Sequence, residues 1–179
     1  MKIYTRTGDD GSTGLLFGGR VRKDSPQTSA CGDVDEAQAT IGLARACADE
    51  DSELARMLVR LQRELWVLMA ELATSVSNRD KLRPGETLVT AEMVEGLEAL
   101  IDDLSGRFDP PTEFVVPGQS QTSAYLDLSR TVVRRAERGV LAMTAHSSYI
   151  LPYLNRLSDL LWTMARWQED EPLPARPRE

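Results

Sequence analysis

The segment Thr5-Arg6-Thr7-Gly8-Asp9-Asp10-Gly11-Ser12-Thr13-Gly14 gathers three glycines, three threonines and a serine within ten residues. Glycine lets the backbone curl, successive amides can line an anion-binding concavity, and hydroxyls add donors. With Arg6 inside the segment and Lys23 just after it, these residue types suit a triphosphate; the alternative is an ordinary flexible loop. A second group lies in Arg130-Thr131-Val132-Val133-Arg134-Arg135-Ala136-Glu137-Arg138. On a helix, positions 130, 134, 137 and 138 share one side, which puts three guanidinium groups and a carboxylate together. Arginine forks match phosphate oxygens bidentately. The alternative is a solvated face laced with ion pairs, yet Leu126, Val133 and Val140 on the opposite side already define a core face. Asn155 and Asp159 stand one turn apart beside an apolar stripe and, like Asp35 and Glu36, also read as ties between helices.

Several familiar sites are excluded. Gly14 to Val21 superficially suggests a phosphate-binding P-loop, but Arg20-Val21 replaces the Lys-Ser/Thr pair that serves phosphate and magnesium. A ferritin-like di-iron bundle needs two Glu-x-x-His motifs, and the chain has one histidine, His146, which reads as an exposed or capping residue at a helix end. The net charge of -7 argues against nucleic acid or an anionic membrane as the main partner. Cys31 and Cys47 are too sparse for a disulfide framework and read as reduced thiols. No apolar stretch approaches the ~20 residues of a membrane span, and Met1 to Arg6 do not open into one, so a soluble cytoplasmic chain is expected.

The elements that must carry these groups are helical. An ordered loop precedes a first helix from about Ser29 to about Asp49, with Val34, Ile41 and Ala48 on one face. Leu54, Leu58, Leu61, Leu65, Leu68 and Leu72 step by three or four residues and form the core stripe of a second. Asn78 to Glu86 breaks the pattern before Thr90 opens a third helix, whose apolar face is Met93, Leu97, Leu100, Ile101 and Leu104. Asp109-Pro110-Pro111 stops it, and Phe114-Val115-Val116-Pro117-Gly118 is a short apolar run between breakers. A fourth helix begins at Ser120 or Gln121 and reaches about Thr144, and a fifth runs from about Pro152 to Gln168. Glu169 to Glu179, with Pro172, Pro174 and Pro177, reads as a mobile tail. The expectation is an all-α, up-and-down bundle of about five helices without strand pairing: one domain over 1–168, of which 1–28 form a nucleotide-binding loop region, and a tail over 169–179.

Taken together, these segments resemble the PduO-type ATP:cob(I)alamin adenosyltransferases. The likeness runs from Lys2-Ile3-Tyr4-Thr5-Arg6-Thr7-Gly8-Asp9 and Gly11-Ser12-Thr13-Gly14 through Arg22-Lys23-Asp24 and Gly32-Asp33-Val34-Asp35-Glu36. It continues in Phe114 to Gly118 and Ser129 to Arg138, and ends in Tyr153-Leu154-Asn155-Arg156-Leu157-Ser158-Asp159-Leu160-Leu161. The resemblance implies transfer of the 5'-deoxyadenosyl group of ATP to the cobalt of cob(I)alamin, releasing triphosphate, by a homotrimer with inter-subunit sites. Thr5, Arg6, Thr7, Gly8, Gly11, Ser12, Thr13, Gly14 and Lys23 would then hold the triphosphate with magnesium carried by the nucleotide. Arg134, Glu137 and Asn155 would complete the nucleotide site from the adjacent subunit. Asp35 would pair with Arg130 across the interface to position the corrinoid. Phe114 would sit under the corrin ring and exclude an axial ligand. An electron-donating reductase is a candidate further partner, and the resemblance explains why no side-chain nucleophile is apparent, since the cobalt itself attacks. The chain departs from the family pattern at Asp10, Gln27, Cys31, Ala37, Gln38, Gln119 and Asp127, where Asp127 replaces a usual histidine and brings a carboxylate near Arg130. A non-catalytic ATP- or corrinoid-binding trimeric carrier or sensor is the alternative those departures suggest.

Overall fold

The computed structural model describes residues 3–141, 143 and 148–176. Lys2, His146 and the expected end of the fourth helix at Thr144 fall outside the described residues. Five helices carry the fold: α1 (Pro26–Ala46), α2 (Glu53–Leu72), α3 (Ala91–Ser105), α4 (Gln121–Val140) and α5 (Ile150–Trp167). A short 3-10 turn, Val76–Lys81, lies between α2 and α3.

Helix starts follow local chemistry. Ser25 caps α1, its hydroxyl accepting from Thr28 N at 3.2 Å, and Pro26 occupies the first turn, where its missing N–H is harmless. The helix thus begins three residues before the expected Ser29 and ends at Ala46 rather than near Asp49. Ser52 caps α2 through Ala55 N at 3.1 Å. Ser120 and Ser123 at the start of α4 each accept the other's backbone N–H, at 3.0 and 3.1 Å.

The packing order is set by apolar stripes. All six leucines of the α2 stripe are buried, each burial contributing about 1.5–3 kcal/mol. Helix α1 packs against α2 on one side and α4 on the other, α4 packs against α5, and α5 against α3. Tyr153 of α5 fills the centre, fully buried, its hydroxyl donating to Glu64 Oε2 at 2.6 Å. Burial, then the Glu64 charge, pushes this phenol well above its usual range. At one end of the bundle Glu71, also buried, accepts from Arg79 Nη2 at 2.7 Å, Val89 N at 2.8 Å and Ser148 Oγ at 2.8 Å. Three donors satisfy a charge that burial alone would make costly.

Two expectations are corrected. The N-terminal region contains strand pairing, a hairpin of β1 (Ser12–Gly14) and β2 (Arg20–Arg22) with Ser12 opposite Arg22 and Gly14 opposite Arg20. Residues 169–176 are also not a free tail. Val116 N donates to Leu173 O at 2.8 Å and Ala175 N to Phe114 O at 2.7 Å, and the Glu169 side chain is buried. Backbone pairing compensates for the sparse apolar content that suggested mobility, since each such bond contributes about 0.5–1.5 kcal/mol net.

Candidate functional site

The glycine-rich loop is closed by its own polar groups. Gly11 has φ of +82°, a conformation that costs glycine little and other residues more, and Lys23 N donates to its carbonyl at 2.9 Å. Arg20, across the hairpin, donates from Nη2 to Thr7 O at 2.6 Å and from Nε to Ser12 Oγ at 2.9 Å. Asp10 accepts from the N–H and the hydroxyl of Ser12 at 2.9 and 2.8 Å. These bonds, with Arg20 at 3.6 Å, hold the Asp10 carboxyl below its ordinary range. Lys23 folds back over the loop: a Cβ added to Gly8 would lie 3.1 Å from its Nζ. An ammonium over a loop of glycines and hydroxyls suits phosphate oxygens, although the N–H groups of Asp9, Gly11 and Ser12 are already donated within the loop. Arg6 instead turns back on Tyr4, with Cζ 5.5 Å from the ring centroid.

Helix α4 sorts its arginines by direction. Arg135 reaches α1, where Nε donates to Asp33 Oδ1 at 3.2 Å and Nη2 to Glu36. Arg130 donates from Nε to Asp127 Oδ1 at 3.0 Å. Arg134 and Arg138 are exposed and form no ion pair among the described residues. On the 130, 134, 138 face the ion-paired alternative therefore accounts for Arg130, bonded to Asp127, but not for Arg134 or Arg138. Glu137 accepts from Asn155 Nδ2 on α5 at 3.0 Å, and Asn155 Oδ1 accepts from Arg156 at 2.5 Å. The Glu137–Asn155 bond joins two neighbouring helices and fixes the amide between them.

Phe114 stands beyond the start of α4 and is 90% exposed, unusual for a large aromatic side chain. Its cavity of about 620 Å³ is shared with Arg130, Asp127, Trp162 and Arg166. Asp35 lies elsewhere, exposed on α1 and lining a cavity of about 260 Å³ with Thr13, Gly14 and Cys31. Burial and the nearby Asp35 push the Cys31 thiol up. Within one chain the candidate residues thus lie apart: Asp35 with the hairpin loop, Phe114 with Arg130, and Glu137 with Asn155. No hydrogen bond or ion pair among the described residues links the first group to Arg130, Arg134 or Asn155.

A family model described as cobalamin adenosyltransferase matches residues 3–168. The chain belongs to the cobalamin adenosyltransferase family. A corrinoid adenosyltransferase of Citrobacter freundii is 41% identical over 176 residues, covering 96% of this chain and 97% of that protein. One of Mycobacterium tuberculosis (strain ATCC 25618 / H37Rv) is 41% identical over 170 residues, 92% of this chain and 87% of that one. Against the corrinoid adenosyltransferase PduO of Citrobacter freundii the identity is 37% over 96% of this chain but only 51% of the relative, so the chain spans about half that protein's length. Among solved structures, a variant PduO-type ATP:corrinoid adenosyltransferase from Lactobacillus reuteri complexed with cobalamin and ATP gives a TM-score of 0.86 at 25% identity. The match covers 98% of this chain and 100% of that one.

The departures from the cobalamin adenosyltransferase pattern have structural roles here. Gln27 donates to Leu72 O at 2.7 Å, tying α1 to the end of α2. Gln38 and Gln62 each donate to the other's backbone carbonyl, at 2.7 and 3.1 Å. Asp127 is buried and holds Arg130 from within the chain. Sequence reasoning missed Arg20, dismissed with the failed P-loop, although its position eight residues from Ser12 suits a hairpin contact. It also missed Arg166, which ends an apolar stripe and reads as solvated, yet is 3% exposed.

Proposed function

We propose that this chain transfers the 5'-deoxyadenosyl group of ATP to the cobalt of a reduced corrinoid, with release of triphosphate. The reading is supported above all by the full-length likeness to an enzyme whose structure holds both cobalamin and ATP. The loop under Lys23 suits the triphosphate, with Thr5, Thr7, Gly8, Gly11, Ser12, Thr13 and Gly14 supplying amides and hydroxyls. Arg134, exposed on α4 and without an ion pair among the described residues, would stabilise charge developing on the leaving group. Phe114, apolar and outward-facing, suits the lower face of a corrin ring. Corrinoid cobalt is the nucleophile, so the protein's contribution is orientation and electrostatics.

The separation of the candidate residues within one chain supports assembly from more than one copy, for which a homotrimer with inter-subunit sites is our reading. Asp35 of one copy would then compete with Asp127 for Arg130 of the next. No group of three or more His, Cys, Asp or Glu side chains converges among the described residues. Magnesium would arrive with ATP, keeping most of its water and phosphate ligands, as this ion prefers. A reductase that delivers the electron to Co(II) and a cytoplasmic setting complete the proposal; Cys31 and Cys47, both free thiols, agree with a reducing compartment. No helix among the described residues is long and apolar enough to cross a membrane.

Incubation with ATP, magnesium and chemically reduced cobalamin should give adenosylcobalamin and triphosphate in equal amounts. Binding of both ligands without product under full reduction would reject the enzyme in favour of a carrier. Sedimentation at several concentrations tests the trimer.

A further inference from the structure

Phe114 gets almost no packing from its own chain, so its position must be imposed through its backbone. The carbonyl of Phe114 accepts from Ala175 N, and two residues on Val116 N donates to Leu173 O. The segment that supplies these partners is itself held by charge. Glu169, its side chain fully buried, accepts from Arg166 Nη2 at 3.1 Å, with Arg166 Nε 2.9 Å from its other oxygen. Arg166 Nη2 also donates to Asp127 Oδ2 at 2.5 Å, and its guanidinium lies 5.9 Å from the ring centre of Trp162. Asp127 in turn accepts from Arg130 Nε. Two carboxylates and two guanidinium groups balance, which offsets part of the cost of burying Asp127, Arg166 and Glu169, although Arg166 Nε and Glu169 Oε2 face each other without an aligned hydrogen bond. One chain of contacts thus runs from Glu169, four residues before the paired 173–175 segment, through Arg166 and Asp127 to Arg130, and its Arg166, Asp127 and Arg130 line the cavity that holds Phe114.

We propose that Asp127, Arg166 and Glu169 are positioning residues that set Phe114 and Arg130 relative to each other. The inference rests on the reading that both face the corrinoid. The buried carboxylates fix Arg166, Arg166 fixes the turn after α5, and the paired segment fixes the backbone of Phe114. Asp127 meanwhile takes Arg130 Nε and leaves its Nη nitrogens for an acceptor outside the chain.

The test uses two variants of the full chain. Glu169→Gln removes the charge at constant shape, and Ala175→Pro deletes the one N–H that holds the Phe114 carbonyl while leaving the buried cluster intact. In both, amide exchange at Val116 should accelerate, and kcat with cob(I)alamin should fall about tenfold or more, the scale set by a misplacement near an ångström. The KM for ATP should stay within about twofold, because the loop and Lys23 lie on separate elements, and this also reports intact folding. Glu169→Asp should recover part of the loss. Wild-type turnover with unchanged kcat in both variants, or an equal loss in ATP KM, overturns the positioning role and leaves the adenosyltransferase reading standing. No turnover by the wild type under full reduction rejects both.

Discussion

Replacing Gly8 by alanine probes the phosphate-binding reading at one atom. The new Cβ would lie 3.0 Å from Ser12 O, 3.1 Å from Lys23 Nζ and 3.2 Å from Lys23 Cε, all closer than ordinary carbon contacts. Ser12 cannot retreat cheaply: it is paired in the hairpin opposite Arg22, its N–H is held by Asp10, and its hydroxyl is held by Asp10 and Arg20. The lysine is the free end of a flexible side chain, so the ammonium moves. If that ammonium meets the triphosphate, the variant loses most of one charged hydrogen bond, about 1.5–3 kcal/mol, or roughly tenfold to a hundredfold in ATP affinity. Because Ser12 O cannot move away, the same contact strains the hairpin, and stability should fall by about 1 kcal/mol. Calorimetric titration of ATP with magnesium measures the first quantity and a melting curve the second. Lys23→Ala should show the same loss, and the double variant should be no worse than either single, since both remove one interaction. Wild-type affinity in Gly8→Ala, or losses that add, would refute the placement of Lys23 over the phosphates.

Three further outcomes follow from the geometry. Arg134→Ala should weaken ATP by about 1.5–3 kcal/mol and Arg134→Lys should recover only part, whereas Arg135→Ala, which breaks exposed pairs with Asp33 and Glu36, should cost under about 1 kcal/mol of stability and leave ATP affinity unchanged, all readable by titration and melting. Tyr153→Phe should destabilise by about 1–2 kcal/mol at neutral pH by removing a donor to Glu64. Because the folded phenol lies well above its unfolded value, its contribution is complete below about pH 10 and lost as pH rises through the folded value, so wild-type stability should fall more steeply than that of Tyr153→Phe in alkaline melts. Cys31, half-buried with its thiol pushed up by burial and Asp35, should react with iodoacetamide more slowly than exposed Cys47 at pH 8, as peptide mass mapping would show; equal rates would contradict the placement of α1.

What the sequence made legible was whatever repeats at helical spacing or carries its signal locally. The leucines from 54 to 72 announce α2, and all six are buried. Ser25-Pro26, a capping serine followed by a first-turn proline, carries a local signal for the start of α1. The hairpin was not legible: strands of three residues are too short to show alternation, and Gly14 and Arg20 meet through a turn in which Phe17, Gly18 and Gly19 all have positive φ. The 173–175 pairing was not legible either, since backbone hydrogen bonds between segments nearly sixty residues apart leave no side-chain pattern. Among the proposed site residues, residue type and spacing point to the loop, Lys23 and Arg134. Arg166 and Glu169 did not, because a charge near a helix end normally meets water, and only the fold brings Asp127 opposite it.

The contact between α1 and α4 has a consequence for how the protein is made. Asp33 and Arg135 are 102 residues apart in the chain. At about 5–20 residues per second, a ribosome releases α1 some 5–20 s before α4. During that interval the α4-facing side of α1 has no permanent cover. The protein is therefore most open to chaperone capture, and to association with neighbouring nascent chains, before the arginine helix arrives.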